Sequence, residues 1–155
     1  MRILVISDSH GDISSLRMAV ERQRDAAMII HLGDGEDDPA ACAARSRTAH
    51  LKCVRVMGNC DFGSTAPLTA VVFADGKKIY CSHGHKEGVK YGDYALKQAA
   101  RGQNADIVLY GHTHLPVNYY EDGLYIFNPG SLRSGEYGVI DITKAGIVCV
   151  NMKLP

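Results

Sequence analysis

Aspartate, asparagine and histidine side chains follow five short apolar segments of the sequence, at the point where each segment ends. Glycine stands within or beside every one of these groups. The groups are Ser7-Asp8-Ser9-His10-Gly11, Gly33-Asp34-Gly35, Gly58-Asn59-Cys60-Asp61, Ser82-His83-Gly84-His85 and Gly111-His112-Thr113-His114. Carboxylate, amide and imidazole groups together suit borderline divalent ions such as Mn, Fe, Co, Ni or Zn. For the paired histidines of the last group, a metal, a proton relay or plain hydrogen bonding could each supply partners.

The number of these side chains exceeds what one metal ion needs. The metal-competent residues are Asp8, His10, Asp34, Asn59, His83, His112 and His114. One ion with an open position takes about three to five protein ligands, so seven fit two ions that share a bridging carboxylate. Each residue taken alone is better explained as a turn, a cap or a hydrogen-bonded core residue. The coincidence of five such groups favours a two-metal site suited to phosphoryl displacement.

The segments that must position these residues are typical of alternating strands and helices. Short apolar runs predict strands at 2–6, 27–32, 51–57, 68–73, 77–81, 106–110, 124–127, 137–142 and 146–150. Helical spacing and caps predict helices at 12–24, 38–47 and 93–102, with Asp38 as a cap and Pro39 in the first turn. We therefore expect a single α/β domain over residues 1–155, with sheet packed on sheet and helices outside.

The composition excludes several other classes of protein. Seventeen basic and seventeen acidic residues leave no basic excess for a nucleic-acid backbone. No apolar stretch approaches the roughly 18–20 residues of a membrane span. The first residues lack the pattern of a signal peptide, and the five cysteines include no CxxC pair. Free thiols in a reducing cytosol, and hence a cytoplasmic location, are expected. Hairpins outside the site could pair into a homodimer.

The ordered groups resemble the pattern of the calcineurin-like metallophosphoesterases, which is D-x-H, G-D, G-N-H-[DE], H and G-H-x-H. The short chain and the "NPGS" at 128–131 resemble the small prokaryotic phosphodiesterase branch of that superfamily. The resemblance implies a metallophosphoesterase-type β-sandwich flanked by helices, in α–β–β–α layers. It also implies hydrolysis of a small phosphodiester with two divalent ions. Mn²⁺ is expected first, with Fe, Ni, Co or Zn as alternatives.

The resemblance further implies a role for each matching residue. The first ion would be held by Asp8, His10, Asp34 and His114, and the second by Asn59, His83 and His112. Asp34 would bridge the two ions, and a hydroxide between them would attack phosphorus in line. The two imidazoles of "GHTH" would serve different ions, with Thr113 pointed away by the alternation of an extended backbone.

One position departs from the superfamily pattern. Cys60 stands where many relatives have a histidine that protonates the leaving oxygen or steadies the phosphate. The identity of the general acid, the group that protonates the leaving oxygen, therefore stays open. His85 is a candidate substitute, or equally a residue that only supports the site. The candidate catalytic residues are Asp34, Asn59, Cys60 and His85.

Two other functions are compatible with the resemblance. A retromer subunit of the same fold, with similar "GHTH" and "NPGS" elements, is a catalytically silent scaffold that binds proteins. The presence of His10 favours an enzyme here. A phosphomonoesterase or protein phosphatase is the other alternative, but such relatives carry arginines that grip the phosphate. No arginine adjoins the metal groups, and Arg133 after "NPGS" is the nearest. Diesters carry less charge and are favoured, although the sequence does not indicate the physiological substrate.

Overall fold

Two five-stranded β-sheets pack face to face at the centre of the computed structural model, which describes residues 1–43 and 51–155. The strands are β1 (Arg2–Ile6), β2 (Met28–His31), β3 (Lys52–Arg55), β4 (Thr69–Ala74), β5 (Lys77–Ser82), β6 (Ile107–Leu109), β7 (Val117–Glu121), β8 (Leu124–Asn128), β9 (Glu136–Thr143) and β10 (Gly146–Lys153). The helices are α1 (Ile13–Arg22), α2 (Asp38–Ala43) and α3 (Tyr94–Gly102), with a 3₁₀ turn at Leu132–Ser134.

Strand direction determines where the loops meet. The first sheet has the order β10-β9-β1-β2-β3, and β1, β2 and β3 run parallel. The second has the order β4-β5-β6-β8-β7, and β5, β6 and β8 run parallel. The carboxyl ends of parallel neighbours lie at one edge of a sheet, which is where open α/β folds place their ligand sites.

Within the described ranges, three apolar clusters hold the layers together. The largest lies between the sheets, where Ile3 and Ile30 of the first sheet share a cluster with Ile79 and Ile107 of the second. A second cluster packs α1 onto the outer face of the first sheet, and a third packs α3 onto the outer face of the second. The layers are therefore α–β–β–α, and the fold class expected from the sequence is confirmed.

Apart from shifts of up to three residues at the ends of elements, the described structure differs from the sequence-based elements in two places. Strand β7 was not predicted, because its alternating burial leaves only a short, mixed segment that lacks an apolar run. It pairs with β8 across the Asp122-Gly123 turn. Helix α2 begins at Asp38 itself, whose carboxylate binds Ser9 and the Gly11 amide. Residues 44–47 of the predicted second helix lie outside the described residues.

No helix in the described ranges is long and apolar enough to cross a bilayer. The edge strand β4 exposes Val71 and Phe73, the latter with 70% of its surface accessible. The homodimer stays a prediction.

Candidate metal centre

Loops from both sheets bring the seven predicted ligands to one end of the sandwich. Those of the first sheet follow β1, β2 and β3, and those of the second follow β5 and β6. Each of these strands is parallel to a neighbour in its own sheet, so their carboxyl ends share an edge. The chain therefore assembles from distant segments a cluster that no single segment contains.

The first cluster joins Asp8, His10 and His114, whose candidate ligand atoms all lie within 4.8 Å of one another. The Asp8 side chain is fully buried, and its Oδ1 lies 3.1 Å from Nε2 of His114. Nevertheless, Asp8 Oδ1 accepts no hydrogen bond. Two atoms that each lie about 2.1 Å from one ion, at right angles around it, are about 3 Å apart. The pair thus has the spacing of two ligands of one cation.

The second cluster is formed around His83, which is inaccessible to solvent. Its Nδ1 lies 2.7 Å from the Leu32 carbonyl oxygen, which can only accept, so Nδ1 carries the proton and donates it. In the neutral ring, Nε2 then offers only a lone pair. It faces two further acceptors, Asn59 Oδ1 at 3.1 Å and Asp34 Oδ2 at 3.5 Å. Three lone pairs that converge in this way are complementary to a cation.

Asp34 stands between the two clusters. Its Oδ2 lies 3.5 Å from Nε2 of His83 and 3.9 Å from Nε2 of His10. Its Oδ1 accepts a hydrogen bond of 2.7 Å from the Cys60 amide, which fixes the orientation of the carboxylate. Among the predicted ligands, Asp34 is thus placed as a bridging carboxylate would have to be.

The "GHTH" loop directs its two imidazoles to different clusters. The ring of His112 lies 5.0 Å from that of His83, whereas the ring of His114 lies 5.9 Å from that of His10, measured between centroids. The expectation of an extended backbone was wrong, because His112 and His114 have φ angles of 66° and 59°. The left-handed backbone at both positions therefore directs the two rings to different clusters. Between them, the Thr113 hydroxyl accepts a hydrogen bond from Asn128.

Backbone strain concentrates at this site. Eight non-glycine residues in the described ranges have positive φ, and five of them are predicted ligands: Asp8, His10, Asp34, His112 and His114. Such conformations cost about 1–3 kcal/mol each and cluster at functional sites. They persist only where surrounding contacts fix them, so these five side chains are held in defined positions.

A divalent cation fits this set of side chains. Asp8 and Asp34 are both buried, and no lysine or arginine in the described residues forms an ion pair with either. Buried carboxylates without a cationic partner are costly. Burial, and then repulsion from His83, lowers the pKa of His112 and keeps it in the neutral form that a ligand requires.

Asp61 anchors the loops that carry Asp34 and Asn59. Its carboxylate accepts four backbone N–H groups, from Asp34, Gly35, Glu36 and Gly58, at 2.7–3.3 Å. Although burial raises the pKa of Asp61, these bonds outweigh it and hold the pKa below its usual range. In the sequence, Asp61 was recognised only as the last residue of the motif at 58–61, and its role in anchoring the loops was not predicted.

A buried histidine supports the first loop from behind. His31 accepts from the Gly33 amide at Nδ1, so Nε2 carries the proton and donates to Ser9 Oγ at 2.8 Å. Ser9 in turn donates to Asp38. Burial lowers the pKa of His31 to about 4, so the ring is neutral at pH 7. This residue was missed because a histidine inside an apolar strand gives no sign of its partner.

The "NPGS" segment also has a supporting role. Asn128 donates to the Gly111 carbonyl at 3.0 Å and accepts from the Gly130 amide at 2.9 Å. Ser131 donates to the Asp8 carbonyl at 3.0 Å. The segment thereby ties the loops after β1 and β6, one from each sheet, to a common element.

Glycines beside the ligands leave space for close packing of the loops. A Cβ added to Gly58 would lie 2.1 Å from Asp34 Oδ1, and one added to Gly33 would lie 2.6 Å from the Gly58 nitrogen. The loops after β2 and β3 touch through their backbones at these glycines, so a larger residue would not fit at either position.

The two other candidate catalytic residues border the clusters. The Sγ atom of Cys60 lies within 4.8 Å of the candidate ligand atoms of His10 and Asp34. Desolvation, followed by hydrogen bonding to Asp34, raises the pKa of this thiol, so it carries its proton. The ring of His85 lies 5.3 Å from that of His83, and its buried Nδ1 has no hydrogen-bond partner.

The fold and the clustered ligands define a metallophosphoesterase. The family model of the calcineurin-like phosphoesterase superfamily domain matches residues 1–145, and the chain belongs to that superfamily.

Named relatives are similar along most of the chain. Probable metallophosphoesterase YsnB of Bacillus subtilis is 31% identical over 134 residues, covering 86% of this chain and 76% of that protein. Phosphodiesterase YfcE of Escherichia coli is 28% identical over 179 aligned positions, covering 97% and 93%. The crystal structure of a predicted phosphoesterase from Streptococcus pneumoniae superposes with a TM-score of 0.82 at 28% identity, covering 98% of this chain and 88% of that one.

Replacement of Asp34 by asparagine should weaken binding of both ions together, by more than the roughly 10–100-fold typical of a supporting residue. His112→Ala and His114→Ala should each weaken only one ion, because their rings belong to different clusters. Metal content after Mn²⁺ titration measures the stoichiometry. Asp75→Asn is a matched control, since Asp75 also has positive φ but lies in a hairpin turn. Two ions bound by Asp34→Asn at unchanged affinity would exclude the bridging role.

Gly58→Ala should disturb the centre without touching a ligand side chain. The new methyl group would collide with Asp34, so we expect about 10–100-fold weaker metal binding and about 1–3 kcal/mol lower stability. Gly102→Ala is the control, because an added Cβ there meets nothing within 4 Å. Isothermal titration and thermal unfolding measure the two effects, and equal behaviour of both variants would contradict the packing argument.

Proposed function

We propose that this protein is a phosphodiesterase that uses two divalent metal ions. The observation that carries the proposal is the convergence of acceptor atoms around His83 Nε2, where Asn59 Oδ1 lies at 3.1 Å and Asp34 Oδ2 at 3.5 Å. The membership in the phosphoesterase superfamily and the names of YsnB and YfcE support the same reaction class.

Each cluster would hold one ion. Asp8, His10 and His114 would bind the first, and His83, Asn59 and His112 the second, with Asp34 shared. When bound, a pair of divalent ions supplies Lewis acidity to the phosphoryl oxygens and a nucleophilic water-derived oxygen at neutral pH. The surrounding chain keeps these ligands in place, because Asp61 and Asn128 fix the loops through backbone hydrogen bonds.

Hydrolysis of a phosphodiester adds the elements of water across one phosphorus–oxygen bond. The oxygen of water goes to phosphorus, and the released alcohol takes up a proton. His85 is a candidate donor of that proton. Its buried Nδ1 lacks a partner, and its ring lies near those of His83 and His112. Cys60 supplies a protonated thiol at the opposite, first-sheet side of the centre.

The charges around the centre favour diesters over monoesters. No lysine or arginine in the described part of the chain forms an ion pair with Asp8 or Asp34. Arg133 follows "NPGS" and its backbone amide lies 3.4 Å from the Asp8 carbonyl oxygen, while its side chain is exposed. A dianionic monoester would gain more from cationic side chains than a monoanionic diester. Intact metal ligands, including His10, favour an enzyme over a silent scaffold.

Removal of the metal should abolish hydrolysis of bis(4-nitrophenyl) phosphate. Exhaustive chelation followed by dialysis should leave no activity, and Mn²⁺ should restore the highest rate among Mn, Fe, Co, Ni, Zn and Mg. Release of 4-nitrophenol measures the rate, and elemental analysis confirms the metal content. Full activity in protein shown to be metal-free would refute the proposal.

Cys60→Ala should separate proton donation from packing. A neutral thiol is a weak donor, so we expect the variant to slow esters with good and poor leaving groups alike, by less than about tenfold. General acid catalysis by Cys60 would instead slow only poor leaving groups, by about 10²–10⁴. Rates with 4-nitrophenyl and alkyl diesters, at equal metal content, distinguish the two results, and Cys53→Ala is the control for thiol removal.

A further inference from the structure

A cleft of about 240 Å³ opens beside the candidate metal centre. Its walls are the loop after β2, at residues 35–38, and the loop after β3, at residues 60–64. Cys60 belongs both to this lining and to the cluster that it forms with His10 and Asp34. A phosphoryl group held at the centre can therefore place one ester substituent in this cleft without leaving the ligands.

The cleft has a rigid frame. Asp61 accepts the four backbone N–H groups described above, and Ser64 donates to Glu36 at 2.6 Å. The turn that carries Phe62 is closed by hydrogen bonds from the Phe62 amide to the Cys60 carbonyl and from the Ser64 amide to the Asp61 carbonyl. The walls therefore need little reorganisation to accept a ligand, which favours affinity.

Phe62 supplies the cleft with an uncovered aromatic face. Its side chain is 92% exposed although the turn around it is fixed. A single exposed apolar residue is common on protein surfaces. What distinguishes Phe62 is its position on the wall of a cleft that reaches the reaction centre. A planar ring that stacks on such a face gains dispersion and removes apolar surface from water.

The charge of the cleft restricts what can enter. Four carboxylates line it: Glu36, Asp37, Asp38 and Asp61. No lysine or arginine does so in the described residues. Arg55, which is not part of the lining, pairs with Glu36 and Asp37, so the carboxylates still outnumber the cationic groups. A substituent that carries a second phosphate or a carboxylate would be repelled. An uncharged ring with hydroxyl donors would not.

We propose that this cleft binds an uncharged, ring-bearing alcohol group of the phosphodiester, an aryl or nucleoside group without a further phosphate, with Phe62 stacked on its ring. The inference rests on the proposed phosphodiesterase activity and specifies its substrate class. Phe62 is then a specificity-determining residue that contacts the substrate and leaves the metal ions untouched.

Kinetics of Phe62 variants test the stacking. For bis(4-nitrophenyl) phosphate, Phe62→Ala should raise KM by about tenfold, with kcat and metal content unchanged. Phe62→Tyr should restore the wild-type KM, because the ring is retained. Tyr91→Ala is the matched control, since Tyr91 is 98% exposed and lies outside the cleft. An unchanged KM in Phe62→Ala, or an equal change in Tyr91→Ala, would overturn the inference.

Two diesters of equal size test the charge restriction. In the wild-type protein, 4-carboxyphenyl 4-nitrophenyl phosphate should show a higher KM than its 4-carbamoylphenyl counterpart. Asp37→Asn should narrow the difference between the two KM values, because it removes a cleft carboxylate whose side chain is 80% exposed. Equal KM values for both esters in the wild-type protein would contradict an acidic binding cleft.

Fluorescence gives a readout that does not depend on turnover. The sequence contains no tryptophan, so Phe62→Trp introduces a single reporter in the cleft. In the Mn²⁺-loaded protein, 4-nitrobenzylphosphonate should quench it saturably, whereas the same probe should not saturate quenching in Tyr91→Trp. Absence of saturable quenching in Phe62→Trp would overturn the inference. Failure of the wild-type protein to hydrolyse any phosphoester would instead refute the proposed function.

Discussion

Buried oxygen and nitrogen acceptors that face one another are the constraint on which this structure depends. Asp8 Oδ1 has no hydrogen bond, and the lone pair of His83 points at two oxygens. Isolated, such an arrangement is unfavourable, because each group has lost water without gaining a partner. The fold holds it by means of bonds made elsewhere, above all those of Asp61, so the loops keep a geometry that a cation completes.

The parallel strands make this convergence possible. A parallel pair places both carboxyl ends at one edge, and two sheets packed face to face bring two such edges together. The apolar cluster between the sheets therefore sets the distance between ligands from different halves of the chain. Close backbone contact at Gly33 and Gly58 then brings the loops after β2 and β3 against each other. Packing in the core and geometry at the site are consequences of the same arrangement.

The residues that meet at this site and the layered fold could be predicted because both depend on local patterns: polar groups after apolar runs, and periodicity within the runs. The left-handed backbone at His112 and His114 could not, because it is imposed by neighbouring loops. Asp61 and His31 were missed for a similar reason. Each of them supports the site through a hydrogen bond to an amide or a hydroxyl group. That partner is defined only when segments distant in sequence meet. Strand β7 was missed because pairing with β8, rather than its own composition, makes it a strand.

The division of the ligands between the two sheets has a consequence for the lifetime of the protein. Ions that bind loops of both sheets would cross-link the two sheets at one end. Such ions would bind the folded chain in preference to the unfolded chain, in which the ligands are far apart. At an ion concentration about 100 times the dissociation constant, this preference adds about 2.7 kcal/mol to the free energy of unfolding. Metal supply would then govern how often the sandwich opens to proteases, and a metal-starved cell would contain less of the protein as well as a less active form.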